Sequence, residues 1–319
     1  MKKLNRHGIV AAKISYNNYK ENSEYFCIEA LEDGLQAKLS VNTCEYSLDG
    51  NTWNILSAAT NTPAVNTGDK IYFRGDLTPT SSSGIGTFTI SKKCNLSGNI
   101  MSLLYGDNFE EQTDLTGKSY AFDNLFYRCT TIIDASQLIL PATTLAEYCY
   151  SGMFQNCTSL VTAPELPATT LASECYSGMF SICTSLTQAP SILPATTLVY
   201  KCYRSMFTSC ASLVTAPELP ATTLARECYG YMFHGCSSLT QAPELPATTL
   251  ADSCYRSMFN GCTKLNYIKA LFTTTPSTSY TYSWVSGVSS TGTFVKNAKA
   301  IWDVTGANGI PSGWTVETI

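Results

Sequence analysis

The chain has 319 residues, 44% of them hydrophobic, which is enough for more than one domain around a buried core. Charged residues make up only 14%, against about 25% in ordinary soluble domains, and Thr, Ser, Asn and Tyr take their place. A formal net charge of −4 offers no basic field for a phosphate backbone, which argues against nucleic-acid binding, and no apolar run reaches the roughly 18 residues of a membrane span.

Residues 1–19 read as an N-terminal arm. Its one apolar stretch, Gly8 to Ala12, is too short for the hydrophobic region of a secretory signal, so export by that route is not expected. A product that stays in a reducing compartment begins with free thiols. From 20 to 108 the pattern is all-β. Tyr25–Leu31, Ala37–Val41, Lys70–Arg74 and Thr87–Ile90 are strand-like, separated by turn signals at Asp33-Gly34, Asp49-Gly50-Asn51, Gly68-Asp69 and Gly84–Gly86. The stretch Cys44–Trp53 has the form of a hairpin around an Asp-Gly turn. Short strands at this spacing predict a β-sandwich of the immunoglobulin-like kind.

Residues 109–272 are repetitive. Cysteines fall in pairs eight apart, Cys149/Cys157, Cys175/Cys183, Cys202/Cys210, Cys228/Cys236 and Cys254/Cys262, and the first members step by 26, 27, 26 and 26 residues. The single 27 comes from one extra residue in the segment around Ser191-Ile192. A degenerate copy, Ala121 to Cys129, precedes these units, and the last copy decays after Leu265, as capping ends do. The count is about six units of 26 residues. Within a unit, Cys149, Met153, Phe154 and Cys157 have the spacing of a short amphipathic helical turn or two. Leu160 to Leu166 suits a short strand interrupted at Pro164, and Thr143-Thr144-Leu145 and its copies suit a second one. Strands stack at about 4.8 Å and helical turns at about 8–10 Å, a mismatch that predicts a curved stack with the strands inside.

The motif Met-Phe-x-x-Cys-x-x-Leu, at Met153–Leu160, Met179–Leu186, Met206–Leu213, Met232–Leu239 and Met258–Leu265, resembles the core of the BspA-like (Treponema-type) leucine-rich repeats. The resemblance covers about half of the chain. It departs from the family in its 26-residue period, longer than that family's, and in Cys-Tyr-x-x-Met-Phe where the family has Gly-x-x-Ala-Phe. It implies a leucine-rich-repeat solenoid and a role in binding, since such proteins are mostly bacterial surface adhesins; similar chains occur in gut Bacteroidales and their phages. Residues 273–319 hold three of the four tryptophans, Trp284, Trp302 and Trp314, and read as a small β C-terminal cap over the last coil, with a tryptophan platform for sugar as the alternative.

Chemistry is sparse. Of two histidines, His7 lies in the arm and His234 stands where other units carry Gln155, Ser181, Thr208 and Asn260, so acid–base catalysis by histidine has almost no candidate. The cysteine spacing fits no common zinc site, and a bridge within a helical unit spans too far, which leaves a ladder of buried, reduced thiols filling the core. Glu165, Glu218 and Glu244, broken by Ser191, form the nearest approach to a carboxylate constellation, expected to splay into solvent rather than hold a metal. The Thr-Thr column is expected to bond backbone at a corner. Positions flanking the Cys-Tyr step, such as Glu147/Tyr148 and Arg226/Glu227, change freely and read as a solvated face. Val161/Thr162, Thr187/Gln188, Val214/Thr215 and Thr240/Gln241 alternate almost regularly, and this smooth strand-side surface is the expected docking face.

The resulting expectation is a β-rich chain with short helices: an N-terminal β-sandwich, a solenoid and a C-terminal cap. No catalytic residue, cofactor or metal is expected. The expected role is non-enzymatic binding or adhesion toward a protein or glycan on a host surface, from a phage virion or a bacterial cell surface. The alternative is a structural component, such as a head or tail accessory protein, whose repeats pack against other virion subunits; an oligomer is compatible with both.

Overall fold

The computed structural model describes residues 24–81 and 83–319, so the N-terminal arm with His7 lies outside the described residues. The protein is β-rich. Its strands are β1 (Cys27–Ala30), β2 (Ala37–Leu39), β3 (Thr43–Ser47), β4 (Asn54–Ser57), β5 (Lys70–Arg74), β6 (Phe88–Ile90), β7 (Cys94–Asn99), β8 (Ile132–Ile139), β9 (Tyr267–Ala270), β10 (Thr293–Lys296) and β11 (Thr315–Thr318). Helix is confined, among the described residues, to α1 (Ser102–Tyr105) and a 3-10 turn at Gly106–Asn108. No helix among them is long and apolar enough to cross a membrane.

The strand-like stretches of the N-terminal region are strands, and Cys44–Trp53 supplies β3 and the turn into β4. Asp49 builds that turn: its carboxylate accepts from the backbone N–H groups of Thr52 and Asn51 and from the hydroxyls of Ser47 and Thr52. These bonds, the Thr52 N–H foremost, hold its carboxyl well below the usual range. The strands assemble as a six-stranded sheet in the order β4-β3-β5-β1-β7-β8, with β2 and β6 pairing separately. The polar strand β7 has no counterpart among the sequence expectations, yet it is the hinge of the architecture. It pairs antiparallel with β1 and parallel with β8, which belongs to the first repeat. The sheet therefore runs across residue 108 from the N-terminal strands into the repeats. Gly98 permits this: its φ is +75°, and a Cβ there would overlap the Tyr25 carbonyl.

The Tyr148–Cys157 stretch, expected as helical turns, is a ladder of β-turns. Every fourth residue takes a left-handed conformation: Tyr148 (φ 56°), Gly152 (57°) and Asn156 (63°), and likewise in the other coils. A residue in that conformation ends the right-handed helix that the apolar spacing alone would allow. Hydrogen bonds then alternate. Tyr150, Gly152, Phe154 and Asn156 donate N–H to the carbonyls of Cys175, Ser177, Met179 and Ser181 in the next coil, at 2.8–2.9 Å. Ser151, Met153, Gln155 and Cys157 donate back three residues within their own coil. This side of the stack is thus hydrogen-bonded from coil to coil, as strands are. The expected helical spacing of about 8–10 Å is absent, and with it the stated cause for a bend.

Close spacing brings like residues into columns. Tyr150, Tyr176, Tyr203, Tyr229 and Tyr255 stack ring on ring with centroids 5.6–6.0 Å apart. Phe126, Phe154, Phe180, Phe207, Phe233 and Phe259 form a second column at 5.2–5.8 Å. Both begin on the N-terminal region or the degenerate first unit, where Phe88 meets Phe126 and Phe122 meets Tyr150. Both end on Trp284, which touches Tyr255 and Phe259.

A further coil lies inside the segment 273–319. Tyr255, Ser257, Phe259 and Gly261 donate N–H to Tyr280, Tyr282, Trp284 and Ser286, 25 residues further on, while Ser283 and Gly287 repeat the left-handed turns. Here Trp284 follows Met258 by one coil and Val288 follows Cys262. The strand side continues in parallel as β9-β10-β11. All three tryptophans of this segment are buried, with indole N–H groups donating to the carbonyls of Gly309, Phe272 and Ser289. Buried rings with satisfied N–H groups serve packing and leave no flat exposed platform for sugar.

Candidate functional site

The strand side of each coil is where the sequence places a docking face. Pro164 and its equivalents have no N–H to give, so pairing contracts to single bridges. Thr162, Gln188, Thr215 and Gln241 form these bridges one upon the next, from Asp134 of β8 to Tyr267 of β9. The N-terminal sheet extends the line, since Asp134 pairs with Asn95, Asn95 with Glu29 and Glu29 with Lys70. The C-terminal sheet extends it the other way through Thr293 and Thr315. The outcome is one row running across the whole molecule: Lys70, Glu29, Asn95, Asp134, Thr162, Gln188, Thr215, Gln241, Tyr267, Thr293 and Thr315. None of these residues is buried, whereas their strand neighbours Ile28, Ile71, Leu96 and Ile268 are fully buried. The row spans roughly 48 Å at about 4.8 Å per strand.

All eight residues predicted for this face are brought together. Val161, Thr187, Val214 and Thr240 stand one position earlier in each coil and are exposed, Val161 to 37% and Val214 to 50%. The Val161 carbonyl accepts the N–H groups of both Thr187 and Gln188. The backbone beneath the face is therefore fixed. Sequence reasoning missed the continuation into the N-terminal sheet, because it depends on β7, whose Cys-Asn-Leu-Ser-Gly-Asn composition carries no strand signal.

The carboxylate column is tied into this face. Glu165 accepts from the Ser191 hydroxyl at 2.8 Å and from its N–H, and Glu244 pairs with Lys269 at 2.9 Å. Glu165 and Glu244 thus bond to the neighbouring coil, while all three carboxylates, Glu218 included, stay exposed to solvent. In the Thr-Thr column, Thr143 and Thr273 donate their hydroxyls to the carbonyls of Thr113 and Thr248. The turn side is likewise cross-linked by its own charges. Tyr148 donates to Glu174, Arg204 pairs with Glu227, and Arg256 Nε donates to the Tyr231 hydroxyl.

The cysteines form no bridges to one another, and all fourteen are buried. They do more than fill space. The second cysteine of each unit donates S–H to the phenylalanine carbonyl of the preceding coil: Cys157 to Phe126, Cys183 to Phe154, Cys210 to Phe180, Cys236 to Phe207 and Cys262 to Phe233, at 3.0–3.1 Å. Burial pushes the thiols of Cys149, Cys202 and Cys254 up to about 12, so none is a thiolate nucleophile near neutrality.

One concavity lies away from the repeats, on β3, β4 and β5 and the turn after α1, with a volume of about 540 Å³. Arg74 crosses it, bonding Glu45 and Asp107 at 2.6 Å each and lying 4.2 Å over the Trp53 ring. Its charge is spent on clamping the turn to the sheet. Nothing in the sequence marked these residues, which lie 29 and 33 positions apart.

Comparison with known protein families, curated proteins and solved structures returned no match.

Proposed function

We propose that the chain is a non-enzymatic binding protein whose repeats form a solenoid and whose working surface is the polar row on its strand side. One observation carries this reading: the row is continuous, has no buried member and is seated on a hydrogen-bonded ladder, while the cysteine thiols are buried with raised pKa values. A preformed backbone lets such a surface bind with little ordering cost. In this reading the N-terminal strands are a sandwich-like base continuous with the stack, and residues 273–319 close its other end. The resemblance to BspA-like repeats favours a place on a virion or bacterial surface, facing a protein or glycan.

The second reading is a structural subunit whose row packs against other subunits. It is favoured by the near absence of charge at the centre of the row, where Thr162 to Gln241 carry none. The test is Gln188→Arg combined with Gln241→Arg, assayed on glycan arrays, on host-cell surfaces and by size-exclusion chromatography with light scattering. Loss of binding or of assembly with an unchanged melting temperature is expected. Intact binding in the double variant removes the row from consideration.

A further inference from the structure

We infer that the occupant of the row is a second copy of this chain, docked face to face about a two-fold axis that runs along the strands between the Thr162 and Gln188 coils. This rests on the row being a docking face and names what it docks.

The argument begins with symmetry. Rotation about an axis parallel to the strands keeps strand direction and reverses the order of coils, so the row meets itself backwards. An isologous contact of this kind requires a self-complementary patch. Thr162, Gln188, Thr215 and Gln241 alternate short and long. An axis passing through a coil would set a residue on its own copy and, through the Thr215 coil, Gln188 on Gln241. An axis between coils sets short against long.

Placed between Thr162 and Gln188, the axis pairs Thr162 with Gln188, Asp134 with Thr215, Asn95 with Gln241, Glu29 with Tyr267 and Lys70 with Thr293. Each carboxylate of the row then faces a hydroxyl. The neighbouring line of the same face behaves in the same way. Glu165 meets Ser191, Gln137 meets Glu218, and Ser97 meets Glu244, so no carboxylate opposes another. Moving the axis one coil on, between Gln188 and Thr215, would bring Glu165 against Glu244, a like-charged pair that costs energy. Val161 meets Thr187, adding apolar contact near the centre. An axis through the Gln188 coil would likewise bring Glu165 against Glu218, so among the registers that overlap ten or more residues of the row, this is the one in which no carboxylate meets another.

Size sets the strength. Ten residues of the row overlap, about 43 Å at 4.8 Å per step, and Val161 to Glu165 is about 13 Å wide. A footprint of roughly 560 Å² per copy falls below the ~800 Å² of a standard interface, so the dimer is weak and concentration-dependent.

The axis position gives the test, because it puts Thr162 and Gln188 of both copies around one point. One variant carries Thr162→Lys and Gln188→Lys, the other Thr162→Glu and Gln188→Glu; these are exposed or half-exposed positions, and circular dichroism checks that both melt as the wild type does. By light scattering and sedimentation up to about 100 µM, well above a micromolar Kd, the wild type is expected to dimerise. Each variant alone is expected to stay monomeric, and the mixture to form a one-to-one heterodimer. A wild type that stays monomeric throughout overturns the inference while leaving the row open to a foreign partner, which the arginine variants address separately. A wild-type dimer that both variants retain also overturns it, by placing the contact elsewhere.

Discussion

The Sγ atom of Cys183 sits 3.1 Å from the carbonyl oxygen of Phe154, one coil away, and that oxygen also accepts the backbone N–H of Cys157. The same arrangement recurs from Cys157 to Cys262, so the thiol is both a small apolar filler and a weak hydrogen-bond donor. Alanine keeps the size class but removes the donor and leaves a small void. Cys183→Ala is therefore expected to cost about 1–2 kcal/mol, from one hydrogen bond and a partial cavity. Chemical denaturation measures it; a change within error of zero would show the S–H bond to be incidental.

The same thiols set a pH limit. Cys149, Cys202 and Cys254 are raised by burial to about 12 when folded, against about 9 in an exposed chain. A unit or more below pH 9 the thiol is protonated in both states, and this contribution to stability is fully present. Between about 9 and 12 only the unfolded chain loses the proton, so stability falls as pH rises. Each such thiol contributes about 1.4 kcal/mol per pH unit in that window. Urea midpoints at pH 7, 8 and 10 are expected to hold between the first two and drop at the third. Thiol-reactive dye should label no cysteine in the native protein at pH 8 and all fourteen in denaturant.

What the sequence disclosed was the repetition, because identical side chains must recur wherever columns stack, and Cys, Met, Phe and Leu recur with little variation. The residues of the strand-side row at the repeats were legible for the same reason: a two-coil alternation of Val-Thr with Thr-Gln is visible in a line of text. The turn ladder was misread because Cys149, Met153, Phe154 and Cys157 have helical spacing, and spacing does not report the sign of φ. The signal was there in Gly152, Gly178, Gly235 and Gly261, each of which falls at a left-handed position, although Gly230 does not. The coil at Tyr280–Val288 was hidden by size. Trp284 does the work of a methionine and Val288 that of a cysteine, as suits a coil that must cover the last exposed rings.

Ile182 holds φ 63° at a position where other coils have Asn156, Ser209, Gly235 and Gly261. A β-branched residue there is strained, and at 36% exposure Ile182 gains little burial in return. Ile182→Gly is expected to stabilise the protein by roughly 1 kcal/mol, the left-handed penalty less the added chain entropy. The reverse change at Gly261, to Val, is expected to destabilise by at least as much. Melting temperatures of both variants decide; a destabilised Ile182→Gly would mean that the Ile182 side chain contributes more contact than its exposure suggests.

Trp284 is the point at which both aromatic columns stop. Its ring is fully buried, lies 5.9 Å from Tyr255 and 6.2 Å from Phe259, and its indole N–H donates to the Gly309 carbonyl at 2.8 Å. Repeat stacks gain stability from each neighbour contact, and an uncovered end frays first. Trp284→Ala removes the cover from two columns and leaves the Gly309 carbonyl without that donor, so a loss of about 3–5 kcal/mol is expected. The loss should be graded along the chain. Hydrogen exchange is expected to quicken in the coils of Tyr255 and Tyr229 while the N-terminal strands keep their protection. Trp284→Phe, which restores a ring without the N–H, should recover most of the stability and the exchange pattern. Uniform loss of protection in both variants would instead make the stack and the N-terminal sheet one cooperative unit, joined through the β7–β8 pairing.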